Sequence, residues 1–331
     1  MKNTVPTRAQ GVDIGLYVEA QEGVDWHAWH RLATRAEALG FSAIACSVHL
    51  MSLQSSGRWA LDVWPLLTAL ALWTRRVRFG PMVLPVTFDH PIQIARRAAS
   101  LDRLTGGRFR LRLGAGRHPG EHAAFGVPFP QHDQRIAMLD EAVQVIRLLW
   151  SGEPVSFAGA WYRLERAQLQ PVPGHPWIGM SGDSESSLRV TAAGADEWCT
   201  ADGSMEALRQ RLGRLDELAG KAGRNPRAIS RSVMNGVLVG HNRAALRRQA
   251  ARLVDLIPAF AGLPADTILE RLMSEWGWWV GTPQQVAEQV TNVIRAGVDD
   301  IFFQVFDFRD LRMLDLLARD VIPRLGLQRN P

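Results

Sequence analysis

Hydrophobic and polar positions along the chain fall into short apolar runs that alternate with longer stretches of helical spacing. The first run, Val12–Val18 (VDIGLYV), reads as a strand. The following VDWHAWHRLATRAEALG places apolar residues three and four apart and stops at Gly40, a typical helix C-terminal glycine. The same alternation continues through strand FSAIACSV, helix DVWPLLTALALWT, strand RVRFGPMVLPV and helix PIQIARRAASLDRLTGG. Strand RFRLRLGAG and helix QRIAMLDEAVQVIRLLWSG make a fourth unit. HPWIGMSG, ADEWCT, AISRSVMNGVLVG and DDIFFQVF supply four more strands, with helices between them and a last helix from Leu311 to Leu325. Eight strand–helix units predict a parallel sheet covered by helices, and over this length an α/β (β/α)8 TIM barrel rather than an open doubly wound sheet.

Two stretches exceed the minimal unit. Residues 152–174 read as a β-rich insertion before the fifth strand, and residues 241–280 carry Pro258, Pro264 and the cluster EWGWWVG. With no internal repeat or low-complexity linker, residues 1–331 are expected to form one barrel domain with these two insertions.

Composition changes this picture little. Hydrophobic residues make up 47% and charged residues 21% of 331, as in a globular protein with a large core. No apolar run approaches the ~20 residues of a membrane span, and the opening MKNTVPTRAQ lacks a secretory signal's apolar stretch. The net charge of +5 comes from arginines scattered over helix-like segments, which argues against nucleic-acid binding. Cys46 and Cys199 sit in apolar segments, as buried thiols in a reducing compartment would. A cytoplasmic protein without membrane or nucleic-acid partners is expected.

The stretch Leu113–His122, LGAGRHPGEH, carries the candidate chemistry. His118, Glu121 and His122 spell H-x-x-E-H, yet Pro119 and Gly120 interrupt the helix a zinc site needs, so no metal is expected. Gly114, Gly116 and Gly120 miss the dinucleotide spacing by one residue and follow the fourth strand, not the first. A strand running into a loop at the barrel mouth fits, because active sites of this fold lie at the C-terminal strand ends.

The stretch VLPVTFDHPIQIARRAASLDRLTGGRFRLRLGAGRHPGEHAAFG resembles the long signature of the bacterial luciferase-like family of flavin and deazaflavin oxidoreductases. The match runs through Leu101, Asp102, Thr105, Gly106, Gly107, Arg108, Gly114, Gly116, Glu121 and Gly126. GDSESSLRVTAAGADEWCT and GTPQQVAEQVTNVIRAGVDDIFFQVF are similar to later parts of the same family. Order and spacing are closest to the subgroup that uses coenzyme F420, a 5-deazaflavin.

That resemblance implies a cofactor ring across the barrel mouth and a small-molecule substrate. It implies His49 as the group that moves a proton and Glu121 as the group that orients it. Val48 stands where the F420 enzymes carry aspartate before that histidine, and Arg117 where the sugar-phosphate dehydrogenases carry glutamate. Gly203 stands where they carry a lysine. Met82 and Val83 match a non-prolyl cis peptide behind the ring, and Ala115 and Gly116 approach its other side. Ser181, Gly182, Asp183, Glu185 and Ser186 are implied at the cofactor phosphate, on a helix N-terminus. Thr200 and Trp278 are expected to face substrate, the latter with Trp276 and Trp279 as a pocket wall.

Three functions follow from the resemblance. One is an F420-dependent dehydrogenase or reductase. The second is a two-component monooxygenase using reduced FMN and oxygen, with Cys46 near the ring. The third is a barrel that only binds flavin. Family members often self-associate, so a homodimer is expected.

Overall fold

The computed structural model describes residues 12–201 and 204–326. The opening segment and Gly203 lie outside the described residues. In chain order the elements are β1 (Asp13–Val18), α1 (Trp26–Leu39), β2 (Ala43–Cys46), α2 (Val63–Trp73), β3 (Arg78–Pro81), β4 (Leu84–Pro85), α3 (Pro91–Thr105) and β5 (Leu111–Gly114). Next come α4 (Pro119–Ala124), α5 (His132–Leu149), β6 (Val155–Ala158), β7 (Arg163–Ala167), β8 (Ile178–Ser181), α6 (Glu185–Gly194), β9 (Glu197–Ala201) and α7 (Met205–Lys221). The remainder are β10 (Ser230–Val239), α8 (Arg243–Leu253), α9 (Ala265–Ser274), β11 (Trp279–Gly281), α10 (Pro283–Arg295), β12 (Asp300–Val305) and α11 (Arg312–Leu316).

The main sheet runs β3-β2-β1-β12-β10-β9-β8-β5-β4, every pairing parallel. β3 and β4 are two halves of one barrel strand, interrupted at Met82–Val83, where the peptide is cis. β3 pairs with β2, β4 pairs with β5, and a bridge between Phe79 and Phe109 closes the ring. The expected eight-stranded barrel is therefore present, with its third strand broken at the mouth.

Alternation along the strands divides the core in two, because successive side chains point to opposite faces. Ile14, Leu16, Val18, Ile44 and Cys46 pack outward against the helices. Tyr17, Ala43, Ala45, Met82, Cys199 and Phe302 meet inside the barrel. Gly15 is required there: a Cβ would come within 2.8 Å of the Phe302 ring. α1 starts at Asp25, whose carboxylate accepts the Ala28 N–H at 2.7 Å, and ends at Gly40 with φ +88°.

Residues 152–174 contain the antiparallel hairpin β6–β7. Residues 241–280 hold α8 and α9, which build a satellite core from Leu246, Leu253, Phe260, Leu269, Leu272 and Trp278. Among the described residues no helix is long and apolar enough to cross a membrane.

Candidate active site

The C-terminal strand ends open into a cavity of about 650 Å³, the size of a small-molecule site. β1 brings Tyr17 and Glu19 to it, the segment after β2 brings Val48 and His49, and the broken third strand brings Met82, Val83 and Pro85. The segment after β5 contributes Ala115, Gly116, Arg117, His118 and Glu121. β8 and the start of α6 contribute Ser181, Gly182, Asp183, Ser184 and Ser187, and β12 contributes Gln304.

His49 and Glu121 are 72 residues apart in sequence and meet here. Glu121 Oε2 lies 3.1 Å from His49 Nδ1, and Oε1 accepts the Leu50 N–H. Pro119 at the start of α4 makes this possible, since it begins the helix just after His118 and turns Glu121 back toward β2. Burial pushes the Glu121 carboxyl up, but bonds from His49 and the Leu50 N–H outweigh it and hold the group below its ordinary range. The His118 ring packs edge-on against His49, centroids 4.6 Å apart. Burial, then His49 and Arg117, depress the His118 imidazole.

The other residue of the H-x-x-E-H stretch turns elsewhere. His122 is buried, bonded to Thr87 Oγ1 and to the His118 carbonyl, each at 2.8 Å, and stacked on Phe88. Among the described residues no three His, Cys, Asp or Glu side chains converge in metal-ligating geometry.

At the α6 end the backbone of Gly182 has φ +144°, where a Cβ would strike Ser187 at 2.6 Å. Ser184 caps α6 by accepting the Ser187 N–H at 3.2 Å. Across from them, His132 lies 3.2 Å from Ser184 Oγ. Arg135, 8% exposed, packs its guanidinium over Phe129 at 3.8 Å, and its Nε finds no partner among the described residues. The α6 N-terminus and the buried Arg135 thus face the same end of the cavity, an arrangement that favours an anion.

Most of the sequence-predicted residues line this cavity: His49, Glu121, Met82, Val83, Ala115, Gly116, Ser181, Gly182, Asp183 and Thr200. Four expectations are corrected. Glu185 faces away, paired with Arg214 and Arg189 on the outer surface. Ser186 likewise does not line the cavity, where Ser184 and Ser187 stand instead; positions three apart on a helix share a face, and the residues between point outward. Trp278 belongs to the satellite core, stacked on Phe306 at 5.0 Å and seated over Gly236. Cys46 points into the outer core with no exposure, its thiol pushed up by burial to about 12. Cys199, on the inward face of β9, is the cysteine that reaches the cavity.

Sequence reasoning missed Glu19, Tyr17, Gln304, His132 and Arg135. Period-two alternation in VDIGLYVE already put Tyr17 and Glu19 on the face opposite Leu16 and Val18, and that signal was available.

The sequence profile described as luciferase-like monooxygenase matches residues 11–300. The chain belongs to that family. Within it, an F420-dependent glucose-6-phosphate dehydrogenase from Nocardia farcinica is 29% identical over 316 residues, spanning 89% of this chain and 92% of the relative. An FMNH2-dependent dimethylsulfone monooxygenase from Pseudomonas fluorescens is 24% identical over 312 residues, spanning 87% and 84%. Solved structures of the same fold include an F420-dependent secondary alcohol dehydrogenase in complex with an F420–acetone adduct (TM-score 0.79, 21% identity, 97% of this chain and 100% of the other). A long-chain alkane monooxygenase superposes with TM-score 0.80 at 20% identity, over 98% and 94%. The family members on both sides are oxidoreductases, and so is this chain.

Proposed function

We propose that the chain is an F420-dependent oxidoreductase that transfers a hydride between the deazaflavin C5 and a carbon of a small organic substrate. The observation that carries this reading is the His49–Glu121 pair, which shares one cavity with the anion-favouring α6 end and the broken third strand. The residues present fit such a cofactor. Gly116, with φ +80°, keeps the backbone after β5 free of a side chain that would strike Thr87. The unpartnered Arg135 Nε and the α6 N-terminus suit a phosphate.

When bound, the deazaflavin supplies a carbon that accepts or donates hydride and reacts poorly with oxygen. Met82, Val83, Ala115 and Gly116 would hold its ring; Ser181, Gly182, Asp183, Ser184 and Ser187 would hold its phosphate end. His49 does the proton work. With Nδ1 donating to Glu121, Nε2 is left as an acceptor that takes the proton of a substrate hydroxyl and returns it in the reverse direction. Glu121 holds the ring in that tautomer and favours the imidazolium that forms. We also read the protein as a cytoplasmic homodimer acting on a small molecule.

A second reading, an FMN-dependent monooxygenase using reduced FMN and oxygen, is favoured by Val48, which stands where the F420 enzymes carry aspartate just before that histidine. Anaerobic titration with F420 and, separately, with reduced FMN separates the two. Tight F420 binding without an FMN response is expected; preference for reduced FMN, followed by oxygen uptake, would establish the monooxygenase.

A further inference from the structure

The proposed reaction leaves Glu19 without a task. It follows β1 directly at the mouth, and its side chain lines the cavity. Three side chains donate to it: Gln21 Nε2 at 2.9 Å, the Tyr17 hydroxyl at 3.3 Å, and Gln304 Nε2. Tyr17 and Gln304 are cross-strand partners in the β1–β12 register, so they present their polar ends at one level beneath Glu19. A carboxylate offers about four acceptor positions, and these donors fill three. Burial lifts the Glu19 carboxyl above its ordinary range; Gln21, His49 and Gln304 pull it back, and Glu22 adds to the rise. Its position is held from below and left open toward the cavity.

A carboxylate, a phenol and an amide on one wall are the groups that read hydroxyls, each offering or accepting a directed hydrogen bond. The same wall is unsuited to a phosphate. Glu19 has Glu22 close by and Glu121 in the same cavity, and His49 is already engaged by Glu121. Of the cations at this end, Arg58 is engaged by Glu22 at 2.8 Å, and Arg117 is solvent-exposed at the rim. The arrangement that favours an anion lies at the α6 end.

On the reading of the cavity given above, we propose that Glu19, with Tyr17 and Gln304, binds a second hydroxyl of the substrate. The cavity then selects a neutral vicinal diol or polyol over both a simple alcohol and a phosphorylated one. Glu19 is the specificity-determining residue, and His49 remains the proton-moving one.

The test is equilibrium binding, followed by ligand-observed NMR, of glycerol, 2-propanol and glycerol 3-phosphate to the F420-loaded protein. Wild type is expected to hold glycerol at least about tenfold more tightly than either competitor, the range of one hydrogen bond to a charged group. Glu19→Ala is expected to erase that preference. Glu19→Gln, nearly isosteric and keeping one acceptor oxygen, is expected to fall between, with its melting temperature and F420 affinity unchanged. Equal binding of 2-propanol or glycerol 3-phosphate by wild type would overturn the proposal. So would an unchanged glycerol preference in Glu19→Gln, or a loss of F420 affinity in that variant, which would put Glu19 in the cofactor site. Failure of F420 to bind wild type would overturn the cofactor assignment alone, and the same three ligands would then be titrated against protein loaded with FMN.

Discussion

Two hydrogen-bonded pairs inside this barrel each join a nitrogen side chain to a buried glutamate, and they behave in opposite ways. Below the mouth, Arg112 on β5 donates from Nε to both oxygens of Glu197 on β9, at 2.9 and 3.0 Å. Glu197 also accepts from the Trp177 indole at 3.0 Å and from the Ser232 hydroxyl, and the guanidinium lies 5.0 Å over the Phe302 ring. Burial opposes both charges, but Arg112 and the hydroxyl and indole donors hold the Glu197 carboxyl below its ordinary range. At the mouth, Glu121 is tied on both oxygens, but its partner His49 is 21% exposed and has one nitrogen left over. The first pair is buried, its carboxylate is fully engaged, and its guanidinium keeps its proton. The second is anchored on one side and open on the other. The two differ in the residue and in the free nitrogen together: an imidazole with an open nitrogen can take up a proton, and a guanidinium cannot.

Removing one member of the closed pair should have the largest effect. Arg112→Met leaves Glu197 buried without its cation, and is expected to cost about 3–5 kcal/mol of stability in a denaturant titration. Arg112→Met combined with Glu197→Gln should recover part of that loss, because no uncompensated charge remains. Recovery would show that the cost is electrostatic.

Opening the reactive pair should instead spare the fold. His49→Ala is expected to lower turnover by about 10²- to 10⁴-fold, the range of general acid–base catalysis, with the melting temperature and F420 affinity near those of wild type. Steady-state kinetics and fluorescence titration on the same preparation check both halves. Turnover at the wild-type rate would remove His49 from the chemistry.

A third carboxylate sharpens the contrast at the smallest scale. Glu37 at the end of α1 accepts the Arg75, Arg76 and Val77 N–H groups, from 2.6 to 3.2 Å. Burial opposes its ionisation, and the backbone donors of Arg76, Arg75 and Val77 outweigh that, so its carboxyl lies below the ordinary range. Because the folded value is the lower one, its stabilisation is present above the unfolded carboxylate range and fades as acid carries the pH through the folded value. Glu37→Gln is expected to cost about 1 kcal/mol near neutrality and to flatten the acid side of the stability profile. Melting curves at several pH values read it.

The barrel was legible because its signal is repeated: eight apolar runs, each followed by helical spacing, and stop signals such as Gly40 where the structure has a left-handed cap. His49 and Glu121 were legible from their place at strand ends together with the family resemblance. Glu185, Ser186 and Trp278 were misassigned because position in the chain does not give direction. One turn of α6 puts Ser184 and Ser187 on the cavity and Glu185 on solvent, and Trp278 finds a better partner in the α8–α9 core than in the mouth. Arg135 and His132 were invisible for another reason. They lie on α5, about fifty residues before the start of α6, with the β6–β7 hairpin inserted between, and the packing of these neighbouring barrel helices brings the two together.

The most direct test of the open pair is the protonation state of the His49 ring, read by ¹⁵N NMR of histidine-labelled protein near neutral pH. Wild type is expected to carry a proton on Nδ1 and a bare Nε2, and Glu121→Gln to lose that bias. A wild-type ring protonated on Nε2 alone, or one that Glu121→Gln leaves unchanged, would contradict it.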